Sequence, residues 1–465
     1  MNELHFAAGV GSAERTIAVL SRGVVSVDHS TPVKGRTPLM LAASFGHTQV
    51  VNILLNRGAN VALADYNGFA ALHHAAGFGH TQVVNILLNR GANVALVDYN
   101  GFAALHLTAH RGFLAVTKLL VEAGADLEAT TPSGSTPLHL ASEKGYSEVM
   151  RVLIEAGANP NSRAMDGATP LCIAANDGHV GAIKVLFRAG AEPLLTFSNP
   201  GASPVPLDAA TNDAVPLDAA ANNGHLAVAR ELIQHFGIEG CGGASGGVQA
   251  LQAAAQEQHL EIMGLLTSTG VVDTGLALRA AAVCGQERSM KFLLQQQEWK
   301  ASGQGDGYLD APGRFGATPL VCSIQACRLS CSPRIMRLLV DAGADTTTTV
   351  RLAGAGGDVF FDDTPLALAD LYLRNKKING EDATESQLHS VEAARRLLMR
   401  VEAVHAVSWL WASDVPSFTY ANAEGTGGAT EATSTPLMLM MPILRRRAGR
   451  PRVLLAALFR NSKKP

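Results

Sequence analysis

The sequence predicts an all-α solenoid of stacked helix-turn-helix repeats with β-hairpin loops, degenerate toward the C-terminus. The first supporting observation is self-similarity: residues 45–73 (FGHTQVVNILLNRGANVALADYNGFAALH) recur at 78–106 with one change, Ala64 becoming Val97. The second is a period of 33 residues that extends beyond this pair. Stacked-repeat proteins show such a period because each unit buries its apolar face only against its neighbours.

Leucine and glycine carry the period along the first part of the chain. A leucine recurs every 33 residues, and a glycine follows each one 19 residues later. The leucines are Leu39, Leu72, Leu105, Leu138 and Leu171, and the glycines are Gly58, Gly91, Gly124, Gly157 and Gly190. A fixed leucine position predicts one buried anchor per unit.

The first helix of each unit has a recognisable start. Thr37, Thr136 and Thr169 are each followed by proline. Threonine is a good N-cap, and proline fits the first helical position, where its missing N–H costs nothing. Ala70 and Ala103 stand where the other units place the capping threonine, so two helices are predicted to lack a side-chain cap.

The rest of the unit reads as a turn, a second helix and a hairpin. Gly46 and its counterparts fit the turn between the helices. The run VVNILL at 50–55 has the i, i+3, i+4 spacing of a one-sided helix. Asn67-Gly68 is a tight-hairpin dipeptide, and it recurs at 100–101.

On these residues the sequence resembles the ankyrin repeat family. The matching segments are TPLMLA at 37–42, LHHAA at 72–76, TPLHLA at 136–141, TPLCIA at 169–174, TPLVCS at 318–323 and TPLALA at 364–369, together with GHTQVVNILLNRGA at 46–59. The resemblance is clear over residues 2–198, and it implies a unit of one β-turn and two helices. Weaker units open at Leu217, Leu251, Leu278, Leu320 and Leu366.

Three regions follow from this pattern. Residues 1–198 are predicted to form regular repeats, 199–412 degenerate repeats with insertions, and 413–465 a flexible linker with a basic, disordered tail. Within the second region, 237–247 and 302–316 are interpreted as glycine-rich loops, and 346–363 and 375–392 as insertions without helical period. Long loops of this kind often serve binding.

The tail differs from the body in charge. Residues 445–465 hold eight basic residues and no acidic one, whereas the rest of the chain holds 29 basic residues against 40 acidic ones. The candidate basic cluster is Arg445, Arg446, Arg447, Arg450 and Arg452. Four interpretations stay open: a solvated end, a nuclear-import signal, a nucleic-acid contact and a contact with anionic lipid.

Sequence motifs for catalysis are missing or weak. There is no Gly-Lys dipeptide for a P-loop and no HExxH, and Cys322, Cys327 and Cys331 do not form paired CxxC motifs. We therefore expect no enzyme, cofactor or metal. Six cysteines without a disulfide framework, no signal peptide and no apolar run of ~18 residues favour a cytoplasmic protein, with a nuclear location as the alternative.

The histidines are interpreted as structural. His73, His106 and His139 fall one per unit at the third helical position, where an imidazole can bond back to the capping residue. Packed helices lie ~8–10 Å apart, too far for two such residues to share a metal with bonds of ~2 Å.

The resemblance also implies a binding surface, a concave groove of hairpin tips and first helices. The corresponding candidate residues here are Phe45, Tyr66, Asn67, Phe69, Phe78, Tyr99, Asn100, Phe102, His110 and Arg111. Aromatic anchors dominate interface energetics. The alternative is that these aromatics only fill the space between hairpins. The predicted function is a protein-interaction scaffold with another protein as partner; the second hypothesis is a nuclear regulator that uses its basic tail.

Overall fold

The computed structural model describes residues 2–193, 215–271, 274–295, 309–310, 317–327, 334–347, 350–353, 360–367, 369–370, 377–378, 381–382 and 385–412. Their dominant architecture is a stack of short antiparallel helix pairs, which confirms the predicted all-α repeat solenoid. The linker and basic tail predicted over 413–465 lie outside the described residues.

Six regular units occupy the first part of the stack. Each unit pairs an odd-numbered helix with the next even-numbered one, and like helices of adjacent units pack on each other in two layers. The helices are α1 (Glu3–Val10), α2 (Ala13–Ser21), α3 (Pro38–Ser44), α4 (Thr48–Asn56), α5 (Ala71–Gly77), α6 (Thr81–Asn89), α7 (Ala104–Arg111), α8 (Leu114–Glu122), α9 (Pro137–Glu143), α10 (Ser147–Glu155), α11 (Pro170–Asn176) and α12 (Val180–Arg188).

The first helices begin at the predicted caps. Thr37 Oγ1 accepts a hydrogen bond from the N–H of Met40 at 3.3 Å, and Thr169 Oγ1 accepts one from Cys172 at 3.2 Å. Thr136 is also an N-cap, but its hydroxyl lies 2.8 Å from an imidazole nitrogen instead. Each cap fixes where the chain leaves the hairpin and enters the helix.

Units 7 to 10 continue the stack with less regular connections. Their helices are α13 (Pro216–Asn222), α14 (Leu226–Gly240), α15 (Gly243–Gln256), α16 (Leu260–Ser268), α17 (Gly275–Cys284), α18 (Glu287–Gln295), α19 (Pro319–Cys327) and α20 (Arg334–Asp341). A long last helix, α21 (Glu385–Ala412), packs against α19 and α20. One hydrophobic core runs through these units from Leu4 to Leu398.

Two small antiparallel hairpins lie between α20 and α21. Strand β1 (Val350–Ala353) pairs with β2 (Phe360–Asp363), and β3 (Lys377–Ile378) pairs with β4 (Glu381–Asp382). The insertion predicted at 346–363 therefore contains a β-hairpin, in agreement with its lack of helical period.

The interpretation of 237–247 as a glycine-rich loop is wrong. Helix α14 is kinked at Gly237, where φ is +67°, and ends at Gly240; α15 begins at Gly243, so only a tight turn separates the two helices. The glycines serve close packing: a Cβ on Gly246 would lie 2.2 Å from the carbonyl oxygen of Cys241, and one on Gly247 would lie 2.7 Å from a methyl carbon of Val271. Here the absence of side chains allows a helix end to approach its neighbour.

The insertion predicted at 375–392 is also shorter than expected, because α21 begins at Glu385. The buried side chains Val391, Ala394 and Leu398 of α21 are three and four residues apart and join the core. The apolar residues that identify α21 in the sequence begin only near the end of the predicted insertion. The first turn of the helix precedes them and has no such apolar pattern.

Candidate protein-binding surface

The hairpin of unit 3 is closed by its own backbone and by one buried carboxylate. Asp65 N–H donates to the carbonyl of Phe69 at 3.0 Å, and Gly68 N–H donates to the carbonyl of Asp65 at 2.9 Å. Asp65 Oδ1 accepts from the N–H groups of Asn67 and Phe69, both at 3.0 Å. The same pattern recurs around Asp98 in the copied unit, so both tips have a fixed conformation.

Adjacent hairpins are joined to each other by backbone hydrogen bonds. Tyr66 N–H donates to the carbonyl of Lys34 at 3.1 Å, and Tyr99 N–H donates to that of Asn67 at 3.0 Å. The approach requires glycine, because Gly68 has φ +85° and a Cβ on it would lie 2.8 Å from the nitrogen of Tyr99. The tips are therefore held in register, one per unit.

The helix ends are joined by a second set of contacts. His47 Nε2 lies 3.0 Å from the carbonyl oxygen of Gly9, and His80 Nε2 lies 2.9 Å from that of Ser44. Both imidazoles lie over the inter-helix glycine of the preceding unit. These histidines bridge neighbouring repeats, which confirms the structural role predicted for them.

The predicted histidine column is also structural. The N–H groups of Ala70, Ala103 and Thr136 donate to Nδ1 of the histidine three residues later, at 3.1–3.2 Å. The opposite nitrogen of each ring, Nε2, lies 2.9–3.1 Å from a carbonyl oxygen of the following hairpin segment. Burial lowers the pKa of all three histidines below the ordinary value, so they are neutral at pH 7.

Unit 3 also buries a charged cluster behind the hairpin. Asp65 Oδ2 lies 3.4 Å from Arg36 Nε and 3.2 Å from His74 Nε2. Burial and the positive charge of Arg36 lower the pKa of His74 from 6.5 to about 4. His74 is therefore neutral at pH 7, and the arginine balances the carboxylate. The cluster fixes the tip, because the same carboxylate caps the turn.

The candidate aromatics divide into two groups. Phe45, Tyr66, Phe78 and Tyr99 are exposed. Phe69 and Phe102 are half-buried, with ring centroids 5.7 Å and 5.9 Å from those of His73 and His106. The filler interpretation therefore fits the second pair, and an anchor role remains open for the first four.

Among the polar candidates, Arg111 contacts one of the exposed aromatics. Asn67, Asn100, His110 and Arg111 are exposed. Arg111 Nη1 donates to the carbonyl of Gly77, and the guanidinium carbon lies 5.4 Å from the centroid of the Phe78 ring. This cation–π contact holds the arginine beside the aromatic ring.

Sequence reasoning missed two apolar residues of this surface. Val33 and Pro132 are exposed and stand two residues before a hairpin glycine, as Tyr66, Tyr99 and Met165 do. Aligning the units on the hairpin glycine would have found them. Apart from Phe45, the candidate set was taken from the two copied units, and this left out the tips of the flanking units.

Other candidate sites receive no support from the described part of the chain. In those residues, no cluster of three or more histidine, cysteine, aspartate or glutamate side chains could hold a metal ion. None of the described helices combines the length and apolarity needed to cross a membrane. The candidate basic residues at 445–452 lie outside the described residues.

Comparisons with known proteins agree with the repeat geometry. A family model described as ankyrin repeats (3 copies) matches residues 4–98 and 95–164, and one described as ankyrin repeat matches 166–196. The chain is 42% identical over 74 residues to the transient receptor potential cation channel subfamily A member 1 of Homo sapiens, a match that covers 15% of this chain and only 6% of the channel. Ankyrin repeats generally mediate protein–protein interaction. Residues 4–196 of the chain are therefore ankyrin repeats.

Proposed function

We propose that this chain is a non-enzymatic interaction scaffold that holds a protein partner against the hairpin tips and helix ends of units 2 to 4. The observation that carries the proposal is the grouping of four exposed aromatic side chains there, Phe45, Tyr66, Phe78 and Tyr99. Aromatics make up only 5% of the chain, and four exposed ones fall in these three adjacent units. Large rigid aromatics are the side chains that most often dominate interface energies.

The rigidity of this surface supports the same proposal. Tyr66 and Tyr99 stand on hairpins that are joined by backbone hydrogen bonds, and Phe78 is covered on one side by Arg111. When a partner binds such a surface, few of its side chains and backbone segments still have to become ordered. The entropic cost of association is therefore low.

The test is a variant with Phe45, Tyr66, Phe78 and Tyr99 all changed to serine. We expect it to lose the partner that the wild-type chain retains in a pull-down followed by mass spectrometry. Its circular dichroism and melting should stay near wild type, because exposed side chains contribute little to the buried stack. Val24→Ser with Val283→Ser is the matched control, since both valines are exposed but lie outside this cluster.

A second variant separates anchors from filler. Phe69→Ser with Phe102→Ser removes the two half-buried rings that pack on histidines. We expect this variant to lower the free energy of unfolding more than the four-fold serine variant does. If the four-fold variant still retains the partner, the proposed surface is wrong.

A further inference from the structure

One exposed apolar side chain per unit projects from the hairpin tips of five consecutive units. We call these residues the tip stripe: Val33, Tyr66, Tyr99, Pro132 and Met165. Val33, Tyr99 and Met165 are 82%, 78% and 80% exposed, which is unusual for apolar side chains in ordered backbone. No member of the stripe is charged.

The backbone fixes the register of the stripe. Tyr66, Tyr99 and Met165 each donate their N–H to the carbonyl of the preceding tip, at 2.9–3.1 Å. Pro132 has no N–H; it packs over Gly101, where a Cβ would lie 2.9 Å from the proline Cδ, just as the Tyr66 ring packs over Gly35. The stripe is therefore a row of side chains at a fixed spacing, one for each repeat.

That spacing selects the backbone conformation of a ligand. Packed helices of adjacent repeats lie ~8–10 Å apart, so the stripe side chains recur at about this distance. An extended β-strand presents same-face side chains every ~6.6–6.8 Å. After two repeats this spacing no longer matches that of the stripe. A polyproline II helix has three residues per turn and a rise of ~3.1 Å, and therefore places one side chain on a given face every ~9.3 Å.

The width and polarity of the stripe also favour polyproline II over an α-helix. An amphipathic α-helix needs an apolar strip about 100° wide. The polar side chains of Asn67, Asn100 and Ser133 interrupt the stripe between successive tips. Polyproline II carbonyls have no internal partners, so the exposed side-chain amides of Asn67 and Asn100 beside the stripe can donate to them.

Charges at the two ends give the stripe a direction. Exposed Lys34 follows Val33 at the first tip. Exposed Asp166 follows Met165 at the last tip, and exposed Asp177 lies at the end of the first helix of the same unit. A complementary ligand carries an acidic group at the Val33 end and a basic group at the Met165 end.

From this register, spacing and charge we infer that the tip stripe binds a proline-rich segment of another protein in the polyproline II conformation. About 13 residues span the five tips, with proline or another apolar residue at every third position. This inference rests on the proposed function and specifies the chemistry of the partner at that surface. Such segments lose little entropy on binding because the conformation is largely preformed.

The test uses the full chain and synthetic fluorescent peptides in an anisotropy titration. The probe has 13 residues of repeated Pro-Leu-Ala, with two aspartates at one end and two arginines at the other. Because charge sets its direction, the peptide is made in both orientations. The controls are a peptide of the same composition in shuffled order and a 15-residue helical peptide with leucine at every seventh position.

We expect one orientation of the period-three peptide to bind at least tenfold more tightly than the shuffled peptide. Tyr66→Ser with Tyr99→Ser should weaken that binding at least tenfold, whereas Tyr66→Phe with Tyr99→Phe should weaken it less. Circular dichroism checks that each variant is folded. Equal binding of the shuffled peptide, tighter binding of the helical peptide, or unchanged affinity in the serine variant overturns the inference.

The two proposals fail in different ways. If the four-fold serine variant loses the natural partner but the period-three peptide shows no preference, the surface binds a partner of another shape and only this inference is wrong. If that variant retains the natural partner, the proposed function is wrong as well.

Discussion

The regular first half and the irregular second half of this stack bury the same core but differ in how neighbouring units are joined. Leu72 in unit 3 and Leu251 in unit 8 are both fully or almost fully buried at the same position of the first helix. Within the part of the chain that the structure describes, in-register hairpin tips occur in the first half. Stacking therefore depends on the leucine column, whereas presentation of a surface depends on the hairpins.

In unit 8, two residues at the contact between neighbouring repeats are replaced together. In units 1, 2 and 7, an imidazole of the next unit lies over the inter-helix glycine, and a Cβ there would meet the ring at 2.5–2.6 Å. In unit 8 this position holds Gln258 with φ +63°, and the next unit supplies Gln286 in place of the histidine. Gln286 still donates its side-chain amide to the carbonyl of Gln256. The glycine and the ring are thus replaced together.

The two halves also differ in the charge of one column. Unit 3 has neutral His73 at the third position of its first helix, and unit 7 has Asp218 there. Asp218 Oδ1 is buried and has no hydrogen-bond partner among the described residues. Burial raises the pKa of Asp218 to about 7. The contributions of His73 and Asp218 to stability should therefore change with pH in opposite directions.

The largest expected effect tests whether the cores are equivalent. Leu87→Ala in α6 and Leu266→Ala in α16 remove fully buried side chains at matching positions. Each should lower the free energy of unfolding by ~2–5 kcal/mol, as core truncations do. Urea denaturation measures the loss. A loss near zero for Leu266→Ala alone would show that the second half does not share the packed core.

The next effect concerns pH. In the unfolded chain His74 takes up a proton near pH 6.5, whereas in the folded chain it does so only near pH 4, so stability falls as pH falls through this window. The loss from this residue is roughly 3 kcal/mol at most. His74→Leu, which copies Leu107 of the next unit, should flatten the dependence of unfolding free energy on pH between 6.5 and 4. An unchanged slope contradicts the assignment.

Asp218 should act with the opposite sign. The unfolded carboxyl ionises near its ordinary pKa of 3.8, but the folded one keeps its proton to about pH 7, so its contribution to stability falls as pH rises between these values. Asp218→Asn should therefore stabilise the chain more at pH 8 than at pH 5, by on the order of 3 kcal/mol. Melting at both pH values measures this, and an equal effect at both would refute it.

A smaller effect concerns the caps of the copied units. Ala70→Thr and Ala103→Thr should each raise the free energy of unfolding by ~1 kcal/mol, because the added hydroxyl can hydrogen-bond to the imidazole nitrogen three residues later, as the hydroxyl of Thr136 does. Room for the side chain is expected, since Thr37 and Thr136 are equally buried at the same position. A lower denaturation midpoint for both variants would mean that the hydroxyl is buried without a partner.

The smallest expected effect concerns Gln258, which replaces the inter-helix glycine in unit 8. Gln258→Gly should stabilise unit 8 by up to ~1 kcal/mol, because a non-glycine residue at positive φ is strained. Gly46→Gln is the reverse change, and it should destabilise by more, since its Cβ would lie 2.6 Å from His80 Nδ1. Thermal melts of the two variants compare the effects. If Gln258→Gly lowers the melting temperature as much as Gly46→Gln does, Gln258 is not strained.

Much of the fold could be predicted because the signals are local and repeated. The proline at 38, the cap at Thr37 and the turn glycine at 46 each restrict the backbone by their own chemistry. The loop interpretation of 237–247 failed because the same glycines can serve a turn or a close helix contact. Local composition does not distinguish these uses, since the contact is made with Val271, which is distant in sequence.

The sequence located the candidate surface but did not show which of its side chains are exposed. Phe69 and Tyr66 looked equivalent, because both are aromatic hairpin residues. Packing places the first against His73 and His74 and leaves the second exposed, and it adds Val33 and Pro132 to the same row. Aromatic character is a property of the residue, whereas exposure depends on what the neighbouring unit covers.

The sequence by itself determined the period, the helix starts and the buried leucine column, because these follow from side-chain chemistry at fixed spacing within about 33 residues. Only the tertiary structure decided which side chains of each hairpin face solvent, how the tips line up and where Asp218 loses its solvation. Those properties arise between units, since hydrogen bonds such as that from Tyr99 to Asn67 join residues that stacking alone brings together.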